Sequence, residues 1–168
     1  DFTNYIYDLR EAVSEEDTSA KAGAIYAEVD LKIAGKGELV IVSENNNGIH
    51  SKKDLEVKNL TLTVHCTDNA LKGNDSVTLE NATTTLISTA GDGVKTTNSD
   101  ISSKGNQRGT ISVTGGTHTV YAACDGLDAA YNVIVEDSAE SATELNIFTD
   151  KYSNYSEEVT AVTEEGYY

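Results

Sequence analysis

The feature that most constrains how this chain can fold is one short pattern that recurs five times. Each copy has a small residue, an aliphatic residue, a polar turn and an aliphatic–x–aliphatic segment. Such self-similarity is typical of solenoids, in which one repeat buries its apolar side chains only against its neighbours. The steps between successive copies are 24, 22, 23 and 33 residues. The small residue falls at Ala24, Gly48, Ala70, Gly93 and Gly126.

Each repeat also contains short segments in which apolar and polar residues alternate. One repeat has Leu55 and Val57, followed by Leu60, Leu62 and Val64. Alternation at period two predicts strands with one buried face. Three such segments in each repeat of about 22 residues predict an all-β fold, a parallel β-helix (solenoid) of about five coils with three short strands per coil.

In such a fold, equivalent residues of successive coils stack about 4.8 Å apart. The alignment predicts two inward aliphatic ladders, and it places Thr84 and His118 at neighbouring inward positions, where we expect a buried Thr–His contact because an inward polar group needs a partner. The first ladder contains Ile25, Ile49, Leu71, Val94 and Leu127, and the second contains Leu55, Val77, Ile111 and Val133.

The repeats divide the chain into three predicted parts. Residues 1–23 are expected to form an N-terminal strand, at 2–7, and a cap with a polar loop at 11–21. Residues 24–149 form the repeat domain, and a polar loop inserted near 97–109 accounts for the long step. Residues 150–168 are an acidic, Tyr-rich tail or C-terminal cap.

The two cysteines are expected to remain free thiols. Cys66 and Cys124 lie in coils two repeats apart, which corresponds to roughly 9–10 Å along the axis at sheet spacing. This separation exceeds the usual distance between the Cα atoms of a disulfide.

The charge of the chain excludes some partners. It has 28 acidic and 12 basic side chains, for a formal net charge of −16, which argues against binding to nucleic acid or to an anionic membrane surface. No segment has the length and hydropathy of a membrane span, so membrane insertion is not expected. The balance fits an exported protein or one that binds cations, and solubility alone is the other interpretation.

Acidic and amide side chains recur just before the small residue of each repeat. Stacked carboxylates repel one another unless something compensates, and Ca²⁺ with oxygen ligands would do so. The alternative is a polar turn whose amides are hydrogen-bonded along the stack. The candidate calcium ligands are Asp68, Asn69, Asp92, Asp125 and Asp128.

The next outward position of each repeat carries basic residues, which are unusual in so acidic a chain. It reads Tyr26, His50, Lys72, Lys95 and Asp128. Ammonium groups beside calcium could hold the carboxylates of an acidic sugar polymer. The alternative is that the two lysines only neutralise neighbouring aspartates.

Several stretches of the chain resemble the repeats of a family of bacterial carbohydrate-binding domains known from clostridia. They are NNGIHSKKDLEVKNLTLTV, NALKGNDSVTL, GDGVKTTN with the later TISVTGGTHTV, and CDGLDAA. The family repeat has the form D-G-I-K/H-S-K-D-D-L-T-I-x-G-G-T-I-T-I, and the resemblance covers about residues 22–135. It implies a right-handed parallel β-helix that looks like a pectate lyase, binds calcium, and binds cellulose or acidic sugars such as polygalacturonate.

The resemblance also implies residue roles. Asp68, Asp92 and Asp125 match the acidic position of the family repeat, and the residues at its Lys/His position are His50, Lys72 and Lys95. The chain departs from the pattern at four places, and an Asn in place of Asp implies a weaker calcium site there or none. The departures are Asn47, Asn69, Ala70 and Asp128.

We therefore expect a non-catalytic polysaccharide-binding module, assisted by calcium and located outside the cell or at its surface. The first alternative is a pectate-lyase-like polysaccharide lyase, which needs a basic residue of lowered pKa; Lys72, Lys95 and Arg108 are the candidates. The second alternative is an adhesin-like protein that contacts a protein partner through its Tyr-rich tail, because Tyr is favoured in interfaces.

Overall fold

The computed structural model describes residues 2–12 and 22–149, and all regular secondary structure in them is β-strand. The all-β prediction is therefore confirmed. The strands are β1 Thr3–Asp8, β2 Ile25–Ala27, β3 Leu31–Ala34, β4 Glu38–Ser43, β5 Ile49–Ser51, β6 Asp54–Lys58, β7 Thr61–Cys66, β8 Leu71–Gly73, β9 Ser76–Ser88, β10 Val94–Lys95, β11 Thr110–Ala122, β12 Leu127–Asp128, β13 Asn132–Glu136 and β14 Thr143–Thr149.

Pairing between these strands is parallel throughout and joins equivalent strands of successive repeats. The described strands form two sheets. The smaller sheet has five short strands in the order β12-β10-β8-β5-β2, and the larger has nine strands. One half of the larger sheet runs from β3 through β6 and β9 to β13, and the other runs from β1 through β4 and β7 to β14.

Two strands are longer than the sequence predicts. In β9 and β11 the second and third segments of the repeat merge into one 13-residue strand. The pairing between the two strands skips one residue in each, Asn81 (φ 48°) and Gly115 (φ 65°), where the backbone is left-handed. Gly and Asn adopt this region of backbone conformation most readily. The parallel pairing of β9 with β11 therefore continues on both sides of these residues.

Both aliphatic ladders are confirmed by the strand register. Ile49, Leu71 and Val94 are fully buried. Val133, the last member of the second ladder, remains 39 % exposed, because β13 pairs with β11 on one side and with no described strand on the other.

The predicted Thr84–His118 contact is also confirmed. The two residues are partners in register, and the Oγ1 atom of Thr84 lies 3.0 Å from the Nδ1 atom of His118. The Nε2 atom of His118 lies 3.1 Å from the carbonyl oxygen of Gly115. Since a carbonyl only accepts, the neutral ring carries its proton on Nε2, and Nδ1 accepts the hydroxyl proton of Thr84.

The thiols are free, as predicted: Cys66 is buried and Cys124 is exposed. Strand β1 confirms the strand predicted at 2–7. Part of the loop predicted at 11–21 and the whole tail at 150–168 lie outside the described residues, so the three-part division stays a prediction. Within residues 2–12 and 22–149, no helix has the length and hydropathy needed to cross a membrane.

Acidification should weaken the fold through His118. Burial lowers the pKa of His118, and its hydrogen bond to Gly115 offsets only part of this effect. The unfolded chain, in which histidine titrates near about pH 6.5, therefore binds the proton first. The stability is fully present above that pH and falls below it by up to about 1.4 kcal/mol per pH unit. Urea titrations between about pH 6.5 and 5 should record the loss.

The matched variant for this test is His118→Gln. It should be less stable at neutral pH, because Thr84 loses its partner, and its free energy of unfolding should fall less steeply with acid. His50, whose pKa is also lowered by burial, contributes to the slope that remains. An unchanged slope in the variant would rule out His118 as a source of the pH dependence.

The two thiols should differ in reactivity. Burial raises the pKa of Cys66 to about 12, and the thiolate is the form that reacts. A thiol reagent should therefore modify Cys124 in the native protein and Cys66 only after denaturation. Cys124→Ser should abolish the native reaction, and rapid modification of the folded variant would contradict the burial of Cys66.

Candidate functional site

The five short strands place one outward residue from each repeat in a single column. Strands β2, β5, β8, β10 and β12 pair in register. Because side chains alternate along a strand, the residue after each inward aliphatic faces outward. The register therefore aligns the basic residues as the sequence predicts. We call this set the lysine column: Tyr26, His50, Lys72, Lys95 and Asp128.

Lys95 is held between two carboxylates. Its Nζ atom lies 2.7 Å from Oδ2 of Asp92 and 2.6 Å from Oδ2 of Asp128. Burial acts to lower the pKa of Lys95, but the hydrogen bonds to Asp128 and Asp92 outweigh burial, so the pKa is raised above its usual value. The ammonium group stays charged and neutralises acidic neighbours, which is one of the two interpretations that the sequence allows.

Lys72 has a different environment. It is half-buried between His50 and Lys95 in the column, and it forms no ion pair with any residue in the described parts of the chain. Its charge is therefore available to an anionic ligand that lies along the column.

His50 is neutral at physiological pH. Burial lowers its pKa, and the positive charge of Lys72 lowers it further. The Nε2 atom lies 3.3 Å from Oδ1 of Asn74, and the ring packs edge-on against Tyr26 with centroids 5.2 Å apart. The Nδ1 atom is buried without a hydrogen-bond partner among residues 2–12 and 22–149. This residue can offer a ligand part of a ring surface, but not a charge.

In three repeats, the polar residue before the small residue accepts a hydrogen bond from a backbone N–H of the next repeat. The Oδ1 atom of Asn47 accepts the backbone N–H of Asn69 at 3.2 Å. Oδ1 of Asn69 accepts the N–H of Asp92 at 3.1 Å, and Oδ1 of Asp92 accepts the N–H of Asp125 at 2.9 Å. We call this the capping ladder. Asn47, Asn69 and Asp92 are all at most 5 % exposed, so these bonds are internal to the fold.

The capping ladder explains why Asn replaces Asp in two repeats. Each Asn carries a donor as well as an acceptor, and Nδ2 of Asn69 donates to Oδ1 of Asn47 and to Oδ1 of Asp68, both at 2.8 Å. Two buried carboxylates stacked at sheet spacing would repel instead. Asp92 comes later in the ladder and is neutralised by Lys95.

Three of the five predicted calcium ligands come together. One carboxylate oxygen from each of Asp92, Asp125 and Asp128 lies within 4.8 Å of the others, and we call this group the acidic cluster. Asp68 and Asn69 belong to the preceding repeat. They bond to each other there, and the structure does not bring them into the acidic cluster.

The sequence analysis does not identify one further polar site. A cleft of about 470 Å³ lies between the inserted loop and the turns beside it. In it the buried carboxylate of Asp75 is 3.0 Å from Nε of Arg108 and 3.8 Å from Nζ of Lys53, and it accepts a hydrogen bond from Nδ2 of Asn98 at 2.7 Å. These contacts hold the loop against the sheet. In the sequence, the only signal for this role of Asp75 is its position in the polar turn at 74–75, and every repeat has such a turn.

Asn69→Leu should destabilise the protein by about 1–3 kcal/mol, because it leaves the buried N–H of Asp92 without an acceptor. Asn69→Asp keeps the acceptor but adds a charge beside Asp68, so it should be unstable at neutral pH and recover in mild acid. Asn106→Leu, in the exposed part of the inserted loop, is the control and should change stability by less than about 0.5 kcal/mol. Equal urea midpoints for all variants would contradict a structural role of the capping ladder.

Comparison with known proteins gives one match. A family model described as "Carbohydrate-binding domain-containing protein" matches residues 1–167. Neither a curated protein nor a solved structure matches the chain. The family match covers almost the full sequence, including the residues that surround the lysine column. It agrees with the resemblance of the repeats to carbohydrate-binding domains. The chain therefore belongs to the family of proteins that contain a carbohydrate-binding domain.

Proposed function

We propose that this protein is a non-catalytic module that binds an acidic polysaccharide along the lysine column, assisted by calcium. The observation that carries the proposal is the alignment of Lys72 and Lys95 in adjacent strands, about 4.8 Å apart by sheet spacing, in a protein of net charge −16. Basic residues concentrated on one column favour a polymer that carries carboxylates at intervals. The family match supports a carbohydrate as the partner.

We propose further that the two sheets are faces of one right-handed parallel β-helix. The parallel pairing of equivalent strands one repeat apart supports a solenoid. The two halves of the larger sheet and the smaller sheet then supply three faces. A column of residues along the axis suits a polymer better than a small sugar, because its length grows with the number of repeats.

The acidic cluster is the proposed calcium site. Its donors are carboxylate oxygens, which Ca²⁺ prefers, and water can complete the six to eight ligands that this ion takes. Asp125 is exposed and Asp128 is partly exposed, so both can reach an ion without unfolding. Calcium would supply positive charge to the edge of the column.

Lys95 competes for this site. Its ammonium group already pairs with Asp92 and Asp128, so calcium binding requires those ion pairs to open. Lys95 is then free to pair with a carboxylate of the polymer, next to Lys72. This exchange would couple the two ligands, because calcium that takes both carboxylates from Lys95 leaves its one ammonium group for the polysaccharide.

The environment of the basic residues does not favour a lyase. A proton-abstracting lysine needs a lowered pKa, whereas the pKa of Lys95 is raised. Arg108 is paired with Asp75 in the cleft beside the inserted loop, where neither lysine of the column is among the lining residues. The adhesin alternative depends on the tail at 150–168, which lies outside the described residues. An extracellular or cell-surface location is the setting in which a calcium-assisted glycan-binding module would act.

Lys72→Ala should weaken binding to polygalacturonate by about tenfold and should reduce the dependence of binding on salt, because it removes the unpaired cation of the column. Affinity electrophoresis through gels that contain the polymer can measure both. Lys36→Ala removes the same charge from an exposed turn between β3 and β4 and should bind like the unchanged protein. Equal losses in the two variants would mean that only net charge matters.

Calcium should bind chelator-stripped protein, and it should bind Lys95→Ala more tightly because the competing ammonium is gone. Isothermal titration measures both affinities. Asp128→Asn is the matched loss-of-ligand variant and should bind calcium more weakly. Unaltered calcium binding in Asp128→Asn would place the ion elsewhere. An unsaturated product that absorbs ultraviolet light, formed from polygalacturonate, would instead establish a lyase.

A further inference from the structure

Three consecutive repeats present the same pair of threonines on one side of the larger sheet. Register aligns β7 with β9 and β9 with β11, and the intervening residues Leu62, Thr84 and His118 are buried, so the flanking residues face outward. Neighbours are about 4.8 Å apart along each column and roughly 6.6 Å apart along each strand. We call this grid the threonine face: Thr61, Thr63, Thr83, Thr85, Thr117 and Thr119.

The hydroxyl groups of the threonine face have no hydrogen-bond partner among the described residues. Other threonines nearby use theirs within the fold. Thr84 bonds to His118, Thr67 donates to the carbonyl of Glu44, and Thr96 donates to the carbonyl of Gly109 at 3.0 Å. Six aligned hydroxyls are therefore available to a ligand.

An apolar and aromatic column adjoins the threonine face. Tyr121 and Phe148 stack with centroids 5.2 Å apart and ring planes 15° apart, and Tyr5 and Tyr7 stack at the opposite end with centroids 6.3 Å apart. Aromatic rings present large apolar surfaces on which the apolar faces of sugar rings can pack. The register aligns this column as Tyr7, Val42, His65, Ile87, Tyr121 and Phe148.

The same surface carries almost no charge. The outward positions of β1, β4, β7 and β14 and of the second halves of β9 and β11 include two carboxylates, Glu38 and Glu144, and neither Lys nor Arg. Both glutamates lie at the ends of one threonine column, beyond Thr61 and Thr117. In a chain with 28 acidic residues, a surface with so few charges suits an uncharged ligand.

We propose that the threonine face and its aromatic column form a second carbohydrate-binding surface, separate from the lysine column and directed at neutral, extended polysaccharides. Such a polymer offers hydroxyls at regular intervals to the threonines and apolar ring faces to Tyr121 and Phe148. An acidic polymer would meet no cation on this surface and two carboxylates at its margin. The lysine column, by contrast, offers charge and little aromatic area, so the two surfaces differ in ligand class.

The test measures depletion of the full-length protein by two insoluble neutral probes, crystalline cellulose and mannan, alongside electrophoresis in polygalacturonate. The variant Thr63→Val/Thr85→Val/Thr119→Val removes the central hydroxyls and keeps β-branched side chains that favour strands. Thr78→Val is its control, on the other half of β9. Tyr121→Ala tests the aromatic column, and thermal melts report whether each variant folds.

We expect the triple variant to bind at least one neutral probe about tenfold more weakly and Tyr121→Ala to bind it several-fold more weakly. Thr78→Val should bind the probe normally, and all three should bind polygalacturonate normally. Lys72→Ala should show the reverse pattern. Unchanged neutral binding in the triple variant, or no neutral binding by the native protein, overturns the second surface and leaves the lysine column untouched. Loss of polygalacturonate binding in the triple variant also overturns it, because the two surfaces would not be separate.

Discussion

Parallel pairing of strands one repeat apart, at a fixed register, is the constraint on which the other features depend. It places residues that are 22 to 34 positions apart in sequence side by side, so each residue of one repeat contacts the equivalent residue of the next. Aliphatic side chains gain from this arrangement, because each covers its neighbour and none of the repeats could bury them alone. Polar and charged side chains must instead find a partner within a spacing of about 4.8 Å.

The protein meets this requirement in different ways inside and outside. Inside, Asn47 and Asn69 each accept a backbone N–H from the next repeat, and Thr84 and His118, two of the buried polar residues of the larger sheet, hydrogen-bond to each other. Outside, one column contains two lysines, while another surface of the described strands carries neither Lys nor Arg and only two carboxylates, Glu38 and Glu144. The two surfaces therefore differ in charge, although no residue in either part is unusual by itself.

How much the sequence predicts follows from this geometry. Period-two alternation and the recurrence of the repeat predict both aliphatic ladders, the Thr84–His118 contact and the order of the lysine column, because each depends on register alone. The choice of partner within a column depends on side-chain rotamers, so the sequence leaves open whether Lys95 neutralises aspartates, which it does, or faces a ligand. The sequence likewise does not predict that two segments merge into one strand at Asn81. A residue with left-handed backbone can either end the strand pairing or lie within it. The ligand-binding roles of all the candidate calcium and carbohydrate residues remain predictions.

The inserted loop between β10 and β11 shows how this architecture tolerates additions. Residues on both sides of it return to the same register, since Val94 pairs with Leu71 and Ile111 pairs with Val77, and contacts through Asp75 attach the loop to the surface. An insertion at this loop changes the surface of the molecule without changing the register of the strands on either side. The exposed segment around Gly105 is therefore a natural position for attaching a fluorophore or a second recognition peptide through Lys104 or Asn106, while Gly105 itself is kept because its φ of 83° favours glycine.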